Sequence, residues 1–266
     1  MNPTRPVFAD LHLHTVASAC AEVEMIPPLI VRRARELGVE LLAVTDHHTV
    51  ENAAAVQEAA RPAGIRVLAG MEVQTREEVH VVCYFDDLDQ AEQWQEMIWS
   101  RLPGLANRPE FFGDQYVVDA TGAYVRTNER LLQTSTDLSF EEVFSLAEQW
   151  GILAVPAHVD RPRYSLFANL GVLPEGVALP GVEISRNLTP EEALRRFPSL
   201  RGLGMLQSGD AHRLEEMTNA TLLKLEAPTA QEIRKALLGQ GGRSVKILQA
   251  SGGIAWTGGG EHGRTA

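Results

Sequence analysis

The first segment of this sequence whose side chains could bind a metal ion or take part in catalysis is Asp10–His14. It reads Asp-Leu-His-Leu-His and stands at the end of an apolar run. Alternate side chains of an extended strand share one face, so we expect His12 and His14 to lie side by side with Asp10 next to them. Two imidazoles on one face can chelate a divalent metal ion. The same spacing also occurs among ordinary core or surface histidines, so the pair needs support from the rest of the chain.

Further histidines and carboxylates stand where other apolar runs end, and only His262 of the 8 histidines lies elsewhere, in the C-terminal tail. The groups are Asp10/His12/His14, Asp46/His47/His48, Glu72, His80, His158, Glu183 and Asp210/His212. Nitrogen ligands mixed with carboxylates suit zinc, manganese or iron better than calcium. The set is too large for one ion, so we predict two or three metal ions, with Glu72 or Asp210 as a bridge. Such a centre suits phosphoester hydrolysis, because metal ions polarise phosphoryl oxygens, generate hydroxide and stabilise the leaving oxygen.

Three other residues are candidates for catalysis: His48, Arg161 and Arg186. His48 is either a substrate contact, with general acid as one role, or a solvated loop residue. Both arginines follow strand-end motifs, and we predict that they reach a substrate phosphate, since the planar guanidinium matches it; surface salt bridges are the alternative. We expect Asp10 to orient a ligating histidine, and Glu183 to contact the substrate or complete the barrel rim.

Composition restricts the class of protein. The hydrophobic fraction of 44% allows a substantial core, and no stretch is long and apolar enough to span a bilayer. A net charge of −11 predicts no long nucleic-acid partner, but allows a small phosphorylated substrate held through metal ions. The unpaired cysteines and an N-terminus unlike a signal peptide predict a cytoplasmic protein. The oligomeric state is left open.

The polar groups can meet only if the elements between them form a curved sheet. Strand-like runs alternate with helical segments, which is typical of a parallel sheet with helical crossovers. In a β/α barrel the carboxyl ends of the strands share one face, where functional residues gather. About seven strands of this kind can be counted. We predict one α/β barrel domain over 1–250, an insertion at about 103–135 containing a hairpin, and a disordered tail over 251–266.

Taken in order, the motifs resemble the PHP (polymerase and histidinol phosphatase) superfamily over about residues 7–225. They are Asp-x-His-x-His at 10–14, Thr-Asp-His at 45–47, Gly-x-Glu at 70–72, His80, Ala-His at 157–158 and Gly-Asp-Ala-His at 209–212. The resemblance implies a distorted seven-stranded (β/α)7 barrel with a trinuclear metal centre that hydrolyses phosphoesters. It implies His12, His14, Glu72 and Asp210 at one metal, Glu72, His80 and His158 at a second, and His47 with His212 at a third.

One departure from that family concerns the third metal, which usually takes another Asp or His from the loop after the first strand. Here the loop over 18–24 offers two candidates. Counting forward from His14 favours Cys20, and counting back from Pro27 favours Glu22. A carboxylate is the harder ligand, so we predict Glu22.

The sequence therefore predicts a metal-dependent phosphoric ester hydrolase, in which a metal-bound hydroxide attacks a small, nucleotide-like or histidinol-phosphate-like ester. An amidohydrolase-type hydrolase or deaminase is the alternative. Its dinuclear form usually needs a carbamylated lysine in mid-barrel, and no lysine precedes Lys224. A metal-stabilised structural domain without catalytic activity is the third hypothesis.

Overall fold

A computed structural model describes residues 3–248, so the tail predicted at 251–266 lies outside the described residues. The strands are β1 Arg5–Leu13, β2 Leu41–Val44, β3 Arg66–Gln74, β4 His80–Phe85, β5 Tyr116–Val118, β6 Tyr124–Thr127, β7 Leu153–Pro156, β8 Gly181–Ile184, β9 Gly204–Gln207, β10 Thr221–Leu225 and β11 Ser244–Ile247. One 7-stranded sheet has the order β11-β10-β1-β2-β3-β4-β7, while β5–β6 and β8–β9 form 2-stranded sheets. The large sheet curls into a half-barrel, which confirms the predicted α/β class and its distorted barrel.

The sheet is mixed, whereas the strand–helix alternation predicted a parallel one. β2 runs parallel to both β1 and β3, but β4 pairs antiparallel with β3 and β7, and β10 pairs antiparallel with β1. The physical reason is visible between β3 and β4, where residues 75–79 are too few for the crossover that a parallel pair requires. A connection of this length makes a hairpin, which brings the start of β4 to the end of β3.

The helices lie between the strands along the chain, and sequence signals mark the ends of some of them. They are α1 Pro27–Leu37, α2 Ala53–Ala60, α3 Leu88–Trp99, α4 Pro109–Phe112, α5 Phe140–Gln149, α6 Leu166–Asn169, α7 Pro190–Arg196 and α8 Ala230–Leu237. α1 ends at Gly38, whose φ of 70° is a left-handed conformation that glycine adopts without strain. Ser139 and Glu142 form a capping box at the start of α5. None of the helices within residues 3–248 has the length and hydropathy to cross a membrane.

Both faces of the central strands are buried, so successive residues of one strand enter two different cores. In β2, Leu42 and Val44 pack in the core that includes α1, α2 and α3, while Leu41 and Ala43 pack in the core that includes α8. Each buried leucine contributes about 1.5–3 kcal/mol to folding. This two-sided packing holds the strands in place, and the polar residues that follow them are positioned by it.

The segment at 103–135 contains α4 and the hairpin β5–β6, so the predicted hairpin is confirmed. The segment packs against the loop that follows β1. The backbone N–H of Tyr116 donates to the carbonyl of Val16 at 2.7 Å. Gly113 has a φ of 89°, and a Cβ there would lie 2.8 Å from the carbonyl oxygen of Ala19. The insertion therefore supports the loop from which a third-metal ligand was expected.

Candidate metal centre

The polar groups that follow the strands converge at one edge of the sheet. Backbone bridges hold them there, because Leu13 pairs with Ala211 and His47 pairs with Glu72. The regular pairing of β1 with β2 is interrupted between Asp10 and Leu13, where the candidate ligands begin. The ends of β1, β2 and β3 and the loop after β9 consequently lie side by side.

Glu72 lies at the centre of this group and is 1% exposed. Its carboxylate oxygens are 2.8 Å from a ring nitrogen of His80, 3.0 Å from His47, 3.2 Å from His158, 3.3 Å from His12 and 3.4 Å from His14. Burial raises the pKa of Glu72, but the charges of the surrounding histidines, led by His80, outweigh burial and hold the pKa well below its usual range. An anionic carboxylate shared by so many imidazoles is suited to bridge two cations.

Asp210 is the second carboxylate of the centre. Its Oδ1 lies 3.1 Å from Nε2 of His14 and 3.2 Å from Nε2 of His12. The guanidinium of Arg161 contacts Oδ2. Burial raises the pKa of Asp210, but the charge of His12 and the hydrogen bond from His14 hold it well below its usual range. Two ionised carboxylates therefore face the same pair of imidazoles.

The Nε2 atom of His12 tests whether these residues fit a metal ion. It is buried 3.3 Å from Glu72 and 3.2 Å from Asp210, yet it forms no hydrogen bond with any residue between 3 and 248. Buried polar atoms are normally paired, because an unpaired one costs about 1–3 kcal/mol. A cation between this imidazole and the two carboxylates removes that cost, so the donor set fits a metal ion.

Three overlapping groups have ligand atoms within 4.8 Å of one another: His12/His14/Glu72/Asp210, His47/Glu72/His80 and His14/His47/His212. The first is the set that the resemblance implied for one metal. The second contains His47 where His158 was implied, although Nε2 of His158 also lies 3.2 Å from Glu72. The third joins His47 and His212, as implied, and adds His14. Shared donors of this kind suit closely spaced transition-metal ions.

Hydrogen bonds to the outer ring nitrogens orient the ligating histidines. The carboxylate of Glu183 lies 3.1 and 3.2 Å from Nδ1 of His12, so Nδ1–H donates to it and Nε2 is the ring nitrogen left for a metal ion. Ser18 lies 3.0 Å from Nδ1 of His14 and donates its own hydroxyl proton to Asp46 at 2.7 Å. Partners of this kind fix the tautomer of a metal ligand and raise its basicity.

The histidines differ in charge. Burial lowers the pKa of His12, but the surrounding carboxylates, led by Glu183, outweigh burial and raise the pKa well above its ordinary value. Burial and repulsion by neighbouring histidines lower the pKa of His14 well below its ordinary value. Burial also lowers the pKa of His80, to about 4. Because neutral imidazole is the form that binds metal, His14 and His80 are already in the ligating state.

Asp10 and Glu183 have roles other than those expected. Asp10 accepts hydrogen bonds from the backbone N–H groups of Gly209 at 2.9 Å and Thr218 at 2.8 Å. Asp10 therefore anchors the loop after β9, and burial raises its pKa to about 7. Glu183, expected at the substrate or the rim, is the residue that orients His12.

His48 does not fit the role of substrate contact or general acid. Its Nδ1 lies 2.6 Å from the carbonyl of Leu132, and its Nε2 accepts a hydrogen bond from the backbone N–H of Gln74 at 2.9 Å. Burial lowers the pKa of His48 to about 4. Both nitrogens are used, so His48 ties the insertion to β3 and has no proton to offer a substrate.

Glu22 is not placed to bind the third metal. It is exposed, and its carboxylate lies 3.7 Å from the guanidinium of Arg213. The thiol of Cys20 instead interacts with the imidazoles of His47 and His212. Burial raises the pKa of Cys20, but the charge of His47 and hydrogen bonding with His212 outweigh burial and lower it to about 7. The structure thus places the carboxylate of Glu22 beside Arg213 and outside the groups of candidate ligands.

The loop over 160–164 after β7 brings a cation and an aromatic ring to the rim of the centre. Arg161 contacts Asp210 and keeps 35% of its side chain exposed. The ring of Tyr164 stacks on His80 with centroids 4.9 Å apart and an interplanar angle of 14°, and Tyr164 is 43% exposed. The sequence analysis did not name Tyr164, although the string Asp-Arg-Pro-Arg-Tyr at 160–164 begins two residues after the predicted ligand His158.

Arg186 follows β8 and is less close to the centre. Its guanidinium lies 3.3 Å from the carboxylate of Glu216, and 45% of its side chain is exposed. This is the surface salt bridge that the sequence left as the alternative. Exposed pairs of this kind contribute only about 0–1 kcal/mol, so Arg186 can exchange Glu216 for another anion at low cost.

Comparison with known proteins identifies both the family and the fold. The family model described as "PHP domain" matches residues 10–162. A "5'-3' exoribonuclease" of Haemophilus influenzae is 36% identical over 76 residues, which cover 27% of this chain and 27% of that protein. The "novel lesion-specific endonuclease PfuEndoQ" of Pyrococcus furiosus superposes with a TM-score of 0.68 at 20% identity, over 91% of this chain and 58% of that one. The chain thus spans less than two thirds of the length of these relatives.

A further solved structure corrects the prediction about partners. Endonuclease Q in complex with a 27-mer duplex substrate carrying an abasic lesion superposes with a TM-score of 0.66 at 19% identity, over 90% of this chain and 58% of that one. The prediction of a small phosphorylated substrate is therefore wrong in excluding a long nucleic acid as a partner. The net charge of −11 is a sum over the whole surface, whereas a polyanion responds to the local charge of the site that binds it.

Proposed function

The chain belongs to the PHP domain family, as its motifs predicted, and from this premise we propose that it is a metal-dependent phosphoesterase that cleaves phosphodiester bonds in nucleic acid. The observation that carries the proposal is the Glu72 carboxylate, which lies within 3.4 Å of a ring nitrogen on each of His12, His14, His47, His80 and His158. The similarities to an exoribonuclease and to a lesion-specific endonuclease support nucleic acid as the substrate class.

The proposed cofactors are two or three zinc, manganese or iron ions. The residues that would hold them are His12, His14, Glu72 and Asp210 for one, Glu72, His80 and His47 or His158 for a second, and His47 with His212 for a third. When bound, such ions supply positive charge to phosphoryl oxygens and make water acidic enough to serve as a nucleophile near neutral pH. Removal of the metal by a chelator is therefore expected to abolish cleavage.

Side chains at the rim are placed to bind the rest of the substrate. Arg161 offers a guanidinium beside Asp210, and such a group can bind a phosphate through two parallel hydrogen bonds. Arg186 can provide a second cation by leaving Glu216. The exposed face of Tyr164 is a surface on which a nucleobase can stack. A cation and an aromatic ring next to a metal centre match the phosphate and base of a nucleotide.

Water is the proposed nucleophile, because the two nearby hydroxyls already have partners. Ser18 is hydrogen-bonded to Asp46 and His14, and Ser208 accepts the backbone N–H of Leu11 at 3.3 Å. Both side chains are also buried, with Ser18 1% and Ser208 2% exposed, so neither hydroxyl is open to attack a phosphate. A single in-line displacement by water should therefore invert the configuration at phosphorus.

The experiment is a substrate panel with metal-free protein reconstituted with zinc, manganese or iron. The panel contains single-stranded RNA and DNA labelled at either end, duplex DNA with and without an abasic site, a dinucleotide, and a generic phosphatase substrate. We expect metal-dependent release of mononucleotides or a defined cut in at least one polynucleotide, with product length giving the polarity.

A variant that keeps the fold controls for contaminating nucleases. Glu72→Gln retains the shape of the side chain but not its charge, and it should lose cleavage on every polynucleotide. Cleavage that persists in Glu72→Gln belongs to a contaminant. Metal-loaded protein that hydrolyses none of the polynucleotides would refute the proposed substrate class, and metal-loaded protein that hydrolyses nothing in the panel would refute the proposed enzyme.

A further inference from the structure

Gln74 is the last residue of β3, and its side chain connects a candidate metal ligand to the insertion at 103–135. Its Oε1 lies 3.3 Å from Nε2 of His80, the first residue of β4. Its amide nitrogen donates to the hydroxyl of Ser135 at 2.9 Å. Gln74 and His80 are direct partners in the β3–β4 hairpin, so their side chains leave the same face of the sheet.

The backbone of Gln74 is held on both sides, which fixes the origin of the side chain. Its N–H donates to Nε2 of His48 at 2.9 Å, and its carbonyl accepts from the N–H and the hydroxyl of Thr136, both at 3.0 Å. His48 is joined in turn to the carbonyl of Leu132 at 2.6 Å. The segment 132–136, where the insertion ends, therefore holds both the backbone and the amide of Gln74.

The ring of His80 has a neighbour at each nitrogen and on one face. Nδ1 lies 2.8 Å from Oε1 of Glu72, and Nε2 faces Gln74. Tyr164 stacks on the ring at an interplanar angle of 14°, and its carbonyl accepts the backbone N–H of His80 at 3.1 Å. Since the ring cannot turn over without exchanging these contacts, Nδ1 is the nitrogen directed at the shared carboxylate of Glu72.

The position of one proton on His80 decides whether this nitrogen can bind metal. A metal-binding imidazole is neutral and carries its proton on the nitrogen away from the ion. With an ion beside Glu72, Nδ1 must offer its lone pair, so the proton belongs on Nε2. The carboxamide oxygen of Gln74 is the acceptor at that position. Without an ion, the carboxylate of Glu72 is the stronger acceptor, and the proton belongs on Nδ1.

We propose that Gln74 is a positioning residue that holds His80 in the Nε2–H tautomer, so that His80 binds metal through Nδ1, and that Ser135 orients the Gln74 amide for this task. The inference rests on the proposed function only in taking His80 as a metal ligand. It gives the insertion a role at the centre, because its last residue orients the partner of a ligand. A purely structural link would leave the tautomer of His80 and the metal affinity independent of the Gln74 oxygen.

The tautomer is read directly by NMR of the full chain labelled with ¹⁵N-histidine, first metal-free and then loaded with zinc. Long-range ¹⁵N–¹H correlations distinguish the ring nitrogens, because Nε2 couples to both carbon-bound ring protons and Nδ1 couples strongly to only one. The signals of His80 are those missing from His80→Asn. In the zinc-loaded wild type, His80 should carry its proton on Nε2 and bind zinc through Nδ1.

Zinc affinity, measured by competition with a chromophoric chelator, tests the side chain of Gln74. Gln74→Leu removes the acceptor and should weaken the binding of one zinc ion about tenfold, the lower end of the range for loss of an outer partner of a ligating histidine, since this partner is neutral. Gln74→Glu keeps an acceptor and should bind zinc at least as tightly as the wild type. Ser135→Ala should lie between the wild type and Gln74→Leu.

Gln57→Leu is the matched control, because it removes a half-buried glutamine of α2 that donates to the carbonyl of Val67 at 3.2 Å. It should match the wild type in zinc affinity and in the tautomer of His80. Denaturant unfolding shows that each variant is folded before zinc is added, and the spectrum of the wild type tests the tautomer without any variant.

The inference is overturned if zinc-loaded His80 carries its proton on Nδ1, or if Gln74→Leu binds zinc as tightly as the wild type. A loss in Gln74→Glu as large as that in Gln74→Leu also overturns it, in favour of a structural link. If His80 has the expected tautomer and Gln74→Leu loses affinity but no polynucleotide is cleaved, the proposed function fails and this inference stands. If polynucleotides are cleaved and Gln74→Leu keeps its affinity, this inference fails and the proposed function stands.

Discussion

Replacing Glu183 tests whether the metal centre depends on the residue that orients His12. The two carboxylate oxygens lie 3.1 and 3.2 Å from Nδ1 of His12, and Glu183 itself is 1% exposed. Glu183→Gln keeps the size of the side chain and one acceptor oxygen, but it removes the negative charge. The proton on Nδ1 is then held less firmly, and Nε2 becomes a weaker ligand.

The size of the effect follows from two separate considerations. A hydrogen bond to a charged group contributes about 1.5–3 kcal/mol, and roughly half of this remains when the acceptor becomes neutral. Loss of an outer partner of a metal-binding histidine costs about 10–100-fold in metal affinity or activity. Since about 1.4 kcal/mol corresponds to a factor of ten, both considerations predict a loss on the order of tenfold for Glu183→Gln.

The assay is competition for zinc between the protein and a chromophoric chelator, followed by kcat/KM on whichever polynucleotide the wild type cleaves. Glu40→Gln is the matched control, because Glu40 is a half-exposed carboxylate that pairs with Arg5 at 2.7 Å, at the start of β1. Glu183→Asp keeps the charge and should lose less than Glu183→Gln. Equal zinc affinity and equal kcat/KM in Glu183→Gln and wild type would refute the orienting role.

Four further changes have defined outcomes. Glu72→Gln should reduce bound metal by at least one ion per chain, as measured by elemental analysis, because an amide cannot bridge two cations. Arg161→Lys should reduce kcat/KM about tenfold with metal content unchanged, since lysine cannot make the bidentate phosphate contact. Tyr164→Ala should raise KM roughly 5- to 150-fold, the equivalent of about 1–3 kcal/mol of stacking, while Tyr164→Phe should match wild type. Hydrogen bonds from Arg243 outweigh burial and lower the pKa of Glu232 to about 2. This pair therefore stabilises the fold at pH values above the pKa of Glu232 in the unfolded chain. The stabilisation is lost as the pH falls toward 2. Chemical denaturation should show an acid-dependent loss of about 1–2 kcal/mol that is absent in Glu232→Gln.

The candidate ligands were predictable because their positions are set by local patterns. The spacing of His12 and His14 within a strand is a period of two, which needs no knowledge of the rest of the fold. Asp210 follows one apolar run typical of a buried strand, and Glu72 lies near the end of another. The structure brings these four residues within ligand distance of one another.

The residues whose contacts differ from the expected ones are those with partners far away in the sequence. Glu183 meets His12 across 171 positions of sequence, and His48 meets Leu132 across 84. No local pattern contains such pairs, so the sequence offered no way to see them. Glu22 was preferred to Cys20 from ligand hardness alone, whereas its observed partner, Arg213, lies 191 positions away in the sequence.

The mixed sheet explains how the candidate ligands come together although the reasoning about strand direction was partly incorrect. In a parallel barrel, ligands belong at the carboxyl ends of strands, yet His80 begins β4. Because β3 and β4 form an antiparallel hairpin, Gln74 pairs with His80 and the start of β4 lies beside the end of β3, which carries Glu72. β7 is antiparallel to β4 in turn, so His158, which follows β7, reaches the same edge. Two reversals of direction therefore bring both histidines to Glu72, and a parallel β4 would have carried His80 to the opposite edge of the sheet.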